Sequence, residues 1–379
     1  MPIPLRIVAD ANIPHVADAI GPFGGVRTRP GRAITRSDLK QADVLLVRSV
    51  TQVDAALRDD TPVRFVGTAT AGTDHIDAEA LRQRGSAFAS APGSNAASVV
   101  DYVIASLLAV AAERGERLSG RTLGVVGVGE VGRRLVPRAR ALGLDVVVSD
   151  PPRSQRGEMA SMPLAALLQV SDIVTLHTPL AAPAESAWPT LDLIDAHEAA
   201  LLKPTAWLVN AARGGVVSLD AASGLAASRP VVLDVWPGEP GPNPDLVRDV
   251  ALGTPHIAGY ATDAKLRGTQ RMAEALAAWT GSTATWTARD VLSDPAPLAT
   301  PDGPADTPVQ QVAWLDALAR QAYDVRSDDA RFREALAEAP ADERAHRFAT
   351  LRKHYPLRRL SAGSALSGGP RGHASRTVS

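Results

Sequence analysis

The sequence predicts an α/β protein built on parallel sheets, and three of its features carry that expectation. Short apolar runs of the buried-strand kind recur along the chain, alanine- and leucine-rich stretches of helical length separate many of them, and one glycine-rich turn joins a run to a stretch. Strands that alternate with helices need crossover connections, which leave a doubly wound parallel sheet covered on both faces.

The runs are Leu5 to Ala9, Val44 to Val47, Arg64 to Val66, Thr122 to Val126, Asp145 to Ser149, Ile173 to Leu176, Ala206 to Val209 and Val231 to Val235. The longest helical pattern follows Ser94-Asn95, a natural cap, and extends from Ala96 to Gly115, directly before the strand that leads into the glycine-rich turn. It is expected to carry the chain from a first domain into a second, and a later helix, Lys265 to Trp279, to bring it back. From about Asp294 the composition shifts to proline, aspartate and threonine, which reads as a linker. Helical patterns follow at Val309 to Ala322 and, in a basic stretch, at Ala345 to Arg359. The expected organisation is 1–95 with 262–285, an inserted 96–261, a C-terminal domain 286–360 and a disordered tail 361–379 poor in large apolar side chains.

At 379 residues with 45% hydrophobic content, the chain exceeds what one core of about 250 to 300 residues organises. Its 40 basic and 41 acidic residues leave a formal charge of -1, no field to gather nucleic acid or anionic membrane. A small-molecule partner is the better expectation. The absence of cysteine excludes a disulfide scaffold, thiolate catalysis and cysteine-ligated zinc, and fits the cytoplasm. The eight histidines show no paired metal spacing, and no basic cluster is interleaved with aromatics. The opening M-P-I-P-L-R-I-V-A-D lacks a signal pattern, and no run reaches the about 18 apolar residues of a spanning helix, so the protein is read as soluble and unprocessed.

Residues 127–132 read G-V-G-E-V-G, between the strand T-L-G-V-V and a helix continuing R-R-L-V-P-R-A-R-A-L-G. An acidic residue, Asp150, closes the next strand, D-V-V-V-S-D. Alone such a motif is weak, but strand, helix and acid at this spacing are what a dinucleotide needs. Gly127 permits the tight turn, Gly129 lets backbone approach the diphosphate, and Gly132 allows helix to pack on strand. Asp150 accepts hydrogen bonds from ribose and repels a 2′-phosphate, which favours NAD over NADP; Arg153 nearby weakens that preference.

Three charged residues follow strand-like runs, where ligands bind in a parallel sheet: Arg213 in W-L-V-N-A-A-R-G-G, Glu239 in V-V-L-D-V-W-P-G-E-P and His256 in G-T-P-H-I-A-G-Y. Oxidising an alcohol requires a base that titrates near neutrality, which histidine provides. A carboxylate on its far nitrogen fixes the tautomer, and an arginine grips a substrate carboxylate with a forked pair of hydrogen bonds. Singly, each reads as well as a surface residue; downstream of a dinucleotide motif the three together read as a site.

These residues give the chain a resemblance to the D-isomer-specific 2-hydroxyacid dehydrogenases, from the N-terminus to about Arg359. Its most specific segments are V-R-S-V-T (Val47 to Thr51), F-V-G-T-A-T-A-G-T-D-H (Phe65 to His75), G-V-V-G-V-G-E-V-G-R-R-L (Gly124 to Leu135), those around Glu239 and His256, and the distal Y-D-V-R-S-D-D (Tyr323 to Asp329) and L-R-K-H-Y (Leu351 to Tyr355). The last two mark a subgroup with a phosphorylated substrate. The resemblance implies a flavodoxin-like substrate lobe and a Rossmann cofactor lobe with the active site between them, plus a small C-terminal α+β domain that makes a homodimer. It implies that His256 is the acid/base, Glu239 its partner and Arg213 the carboxylate anchor. Cofactor contacts then fall at Gly127, Gly129, Glu130, Val131, Gly132, Asp150, Thr178, Ala211, Ala212, Arg213, Asp234 and Gly259, and substrate contacts at Ser49, Thr70, Ala71, Gly72 and Tyr260. Ser49 and Thr70 read equally as turn residues.

Substrate phosphate needs cations. Arg48 ends a strand beside Ser49, and Arg352 and Lys353 are further candidates that would reach a partner subunit, although a basic stretch is more often solvated. After Leu360 the chain departs from the family's strand-like continuation, so the dimer is expected to be trimmed or built differently. Two other readings stay open: a relative acting on 3-phosphoglycerate, and an NAD-sensing corepressor that binds peptides.

Overall fold

The computed structural model describes residues 4–336 and 338–360; the expected tail at 361–379 lies outside them. The chain forms two compact units, one of residues up to 97 with 260–294, the other of 98–259 with the described residues from 295 onward.

The first unit is a five-stranded parallel sheet of β1 (Leu5–Asp10), β2 (Gly24–Arg29), β3 (Val44–Val47), β4 (Phe65–Thr68) and β5 (Ala87–Ala89), in the order β2-β1-β3-β4-β5. Successive side chains point to opposite faces. Ile7, Val44, Leu46 and Phe65 therefore pack with Met272 and Leu276 of the helix Thr262–Thr280, while Val8, Leu45, Val47 and Val66 pack with Leu39 and Leu81. That helix begins three residues before the expected Lys265 and ends at Gly281, whose φ of +70° suits the residue after a helix. The unit runs on to Asp294 rather than the expected 285, because Thr287 opens a 3-10 turn, Ala288–Asp290, and the Ala288 amide donates to Gln270 Oε1 at 2.9 Å. The doubly wound order reverses between β1 and β3, and ligands gather beyond the carboxyl ends of strands at such a point.

The second unit is a six-stranded parallel sheet of β6 (Thr122–Val126), β7 (Asp145–Ser149), β8 (Ile173–Leu176), β9 (Trp207–Asn210), β10 (Val231–Leu233) and β11 (Leu252–Gly253), in the order β11-β10-β9-β8-β6-β7. Its switch point lies between β6 and β8. The helix Ala96–Arg114 has the length and apolarity of a membrane span, yet it packs inside this unit against Leu123, Val125, Trp207 and Val209.

The C-terminal region does not stand apart as the expected third domain. Its described part is three helices, Pro308–Ala322, Val325–Leu336 and Ala341–Lys353, and their apolar faces complete the second unit's cores. Val312, Leu315 and Leu318 join the cluster around helix Ala96–Arg114. Phe332, fully buried, sits 5.1 Å from the Trp236 ring and 6.0 Å from Phe348. Arg333 donates to the carbonyls of Val247 and Val250, both at 2.7 Å.

Phe332→Ala should lower the free energy of unfolding of the second unit by about 3–5 kcal/mol, the usual cost of emptying a buried ring site. Equilibrium denaturation would check this; a loss under about 1 kcal/mol would mean that the C-terminal helices contribute little to that core.

Candidate active site

In the turn after β6 each glycine has a distinct reason. Gly127 has φ +87°, and a Cβ there would lie 2.7 Å from the His177 carbonyl oxygen. A Cβ on Gly132 would lie 2.2 Å from the Gly127 carbonyl oxygen, so only glycine lets the helix Gly132–Ala141 pack against its own turn. A Cβ on Gly129 would meet nothing within 4 Å, leaving that backbone open to a ligand. No side chain caps the helix, and its Arg133 and Arg134 amides are taken by the Gly129 and Val131 carbonyls, at 3.1 and 2.9 Å. Across the switch point, at the end of β8, the buried His177 Nδ1 and Thr178 Oγ1 have no hydrogen-bond partner among the described residues. Burial pushes the His177 imidazole down to about 3, so it is neutral. Open backbone and orphaned polar atoms together fit a dinucleotide.

Two acidic residues here have structural duties. Glu130 bonds Arg133 at 2.7 Å and Arg134 at 2.5 Å, and Arg133 above all holds its carboxyl below the usual range. Asp150 accepts from the Val128 amide at 2.8 Å and the Arg153 amide at 3.1 Å, locking the glycine turn to the end of β7. The Arg153 guanidinium donates to the Val128 carbonyl and pairs with Glu158.

Arg213, Glu239 and His256 follow the neighbouring strands β9, β10 and β11, about 4.8 Å apart. The buried Asn210 shapes the first turn, accepting from the Ala212 amide at 3.1 Å and donating to the Arg213 carbonyl at 3.0 Å. A Cβ on Gly214 would lie 2.0 Å from the Trp236 carbonyl oxygen, so the turn bearing Arg213 abuts the loop bearing Glu239. His256 adopts φ +57°, uncommon for a residue with a Cβ. Its Nδ1 lies 2.7 Å from Glu239 Oε1, and because a carboxylate only accepts, Nδ1 carries the hydrogen and Nε2 is left with the lone pair. Burial pushes the Glu239 carboxyl up, but the hydrogen bond and charge of His256, with the Arg352 guanidinium behind them, outweigh it and hold it below the usual range. Arg352, expected to serve a partner subunit, thus acts on Glu239 of its own chain.

Asp234, expected as a cofactor contact, is 1% exposed and holds the turn. Its Oδ1 accepts from Thr254 Oγ1 at 2.8 Å and the Ile257 amide at 2.7 Å, and its Oδ2 from the Ala258 amide at 2.9 Å. Burial pushes its carboxyl up against those donors.

The expected substrate residues belong to the first unit, at the carboxyl ends of β3 and β4 and the start of helix Thr262–Thr280. Arg48 to Thr51 form a turn closed by the Thr51 amide on the Arg48 carbonyl at 3.2 Å, which presents Arg48 and the exposed Ser49. Thr70 Oγ1 donates to the Gly72 carbonyl at 2.9 Å and meets Thr68 Oγ1 at 2.7 Å, so it shapes the Ala71-Gly72 loop. A Cβ on Gly268 would lie 2.5 Å from the Ala69 carbonyl oxygen, which seats the helix against that loop. One turn earlier on the same face is Lys265, absent from the sequence-based set, with its Nζ 5.2 Å from the centre of the Tyr260 ring. Burial, and then the Arg48 guanidinium, push its ammonium down to about 8. Its sequence signal was only that it is one of four lysines.

The family described as D-isomer specific 2-hydroxyacid dehydrogenase, NAD binding domain, matches residues 106–258, and a domain of unknown function matches 305–369. An erythronate-4-phosphate dehydrogenase of Salinibacter ruber is 48% identical over 365 residues, 94% of this chain and 92% of that protein. One of Pseudomonas aeruginosa is 47% identical over 381 residues, 99% of this chain and 98% of that protein. Among solved structures, the TT0316 protein from Thermus thermophilus has a TM-score of 0.64 at 26% identity, covering 74% of this chain and 98% of its own. The chain belongs to the D-isomer-specific 2-hydroxyacid dehydrogenases, NAD-dependent oxidoreductases, in the branch that holds the erythronate-4-phosphate dehydrogenases.

Proposed function

We propose that the protein oxidises the 2-hydroxyl of 4-phospho-D-erythronate to give 3-hydroxy-2-oxo-4-phosphobutanoate, on the route to pyridoxal phosphate, vitamin B6. The observation that carries this reading is the His256–Glu239 contact of 2.7 Å on a strand edge shared with Arg213 and a dinucleotide turn, in a chain 48% identical to an enzyme of that name. NAD, when bound, supplies the acceptor for the hydride that leaves C2. His256 takes the hydroxyl proton at Nε2, because its Nδ1–H is committed to Glu239. Glu239, ionised through the neutral range, favours the imidazolium that forms. Arg213 grips the substrate carboxylate and polarises the carbonyl as it develops.

The turn Gly127 to Gly132, Thr178, Ala211, Ala212 and Gly259 hold the cofactor in this reading, and Asp150 disfavours a 2′-phosphate. The Ala71-Gly72 amides, Ser49, Thr70 and Tyr260 orient the acid. Arg48 and Lys265 meet its phosphate: both are cations, and the approach of one depresses the other, a cost that an anion relieves. The protein in this reading is cytoplasmic and a homodimer formed through its C-terminal region; sedimentation as a monomer would overturn the latter.

His256→Ala should abolish turnover while NADH still binds by fluorescence titration; unchanged turnover refutes the assigned role. Glu239→Gln should lower kcat by about 10²-fold or more, since the amide no longer selects the tautomer. NADH formation on 4-phospho-D-erythronate should far exceed that on 3-phosphoglycerate, and the reverse order would replace the substrate proposed.

Lys265 is charged below about 8 and neutral above it, so kcat/KM for the phosphorylated acid should fall as pH climbs past 8. Lys265→Met should flatten that limb. Arg48→Ala should raise KM about tenfold or more for the phosphorylated acid and far less for its unphosphorylated analogue, a charged hydrogen bond contributing about 1.5–3 kcal/mol. Equal effects on both acids would remove Arg48 from the phosphate.

A further inference from the structure

We propose that Arg358, in the C-terminal segment, is a positioning residue for the reaction, fixing from its carbonyl side the turn that carries His256. The inference rests on the reading of His256 as the base. Asp234 grips the turn's amides, those of Ile257 and Ala258. Arg358 grips the carbonyls of the same two residues: its Nη2 donates to Ala258 O at 2.7 Å and its Nη1 to Ile257 O at 3.3 Å. Ser98 Oγ adds a second donor to Ala258 O at 2.7 Å and in turn accepts from Arg358 at 3.0 Å. The turn is therefore held on both polar edges. A side chain at φ +57° persists only where its neighbours over-determine it.

Arg358 is itself fixed. Its Cζ stacks 4.0 Å from the centre of the Tyr323 ring, and its Nη1 lies 3.3 Å from Tyr355 Oη. Both tyrosines donate to Asp328 Oδ2, at 2.9 and 2.8 Å, and Arg331 bonds the same carboxylate. Tyr323, Asp328 and Tyr355 come from the two distal motifs, Y-D-V-R-S-D-D and L-R-K-H-Y, the second of which also carries the Arg352 that faces Glu239. Asp329, from the first, accepts the Gly253 amide at 2.7 Å, steadying the strand that ends at the same turn. The C-terminal signature thus holds the general base in register with Glu239. Loosening a positioned group by about 1 Å can cost 10²-fold in rate.

The test compares wild type, Arg358→Lys and Arg358→Ala, each checked for folding by circular dichroism. Turnover of 4-phospho-D-erythronate is measured with and without millimolar guanidinium chloride, beside hydrogen exchange of the 254–259 amides in the NAD-loaded protein. Arg358→Ala should lose about 10²-fold in kcat with KM within about twofold, and guanidinium should restore part of it. Arg358→Lys, which keeps the charge but not the fork, should fall between. Exchange should quicken at Ile257 and Ala258 ahead of the rest of the sheet. Unchanged kcat and exchange, or a loss in both variants that guanidinium does not restore and that spreads across the sheet, would overturn the proposal. A wild type inactive on that acid would count against the substrate, while the exchange pattern would still decide the role of Arg358.

Discussion

The Asp234 carboxylate is closed off from water and takes its hydrogen bonds from the Thr254 hydroxyl and the amides of Ile257 and Ala258. A buried carboxylate without donors would be severely penalised, so the turn must bend until those amides converge on it. That bend places His256 in the left-handed region and aims its imidazole at Glu239. The hydroxyl of Tyr102, fully buried in the helix Ala96–Arg114, bonds Thr254 Oγ1 at 2.8 Å and ties the turn to the core below. The His256–Glu239 contact is thus specified by packing several residues away from either member.

Adjacency in the parallel sheet does the rest. Because β9, β10 and β11 are neighbours, three loops unrelated in sequence end on one edge, and the glycine turn after β6 opens on that same edge. Close backbone approach at Gly214 and Gly132 tightens the arrangement where any side chain would force it apart. Much of the site's accuracy therefore resides in glycines, which act by leaving room for backbone.

The central strands were legible because strands covered on both faces read as unbroken apolar runs. Three of the four edge strands were not: β2 alternates arginine with small residues and is largely exposed, β5 has three residues and β11 two. Arg213, Glu239 and His256 were singled out because strand-end chemistry has a recognisable residue set, and the structure puts Glu239 in contact with His256. That Asp234 is occupied by amides could not be read, because a sequence does not show which donors a carboxylate meets. Lys265 and Arg358 escaped for a related reason. A lysine one helical turn into a helix, or an arginine in a basic stretch, has the same local context whether it is solvated or enclosed. The domain boundary at 286 failed because proline-rich texture marks irregular backbone and says nothing about which core the following helices cover.

The helix Ala96–Arg114 lies at the centre of the second unit, yet it precedes in the chain nearly everything that covers it. Its lid includes Val312, Leu318 and Val325, which leave the ribosome some 200 residues later, on the order of 10–40 s at ordinary rates of synthesis. Through that interval the 19-residue segment lacks part of its native cover. How long this helix waits for its full cover is thus set by the order of the chain's parts and not by the stability of the finished fold.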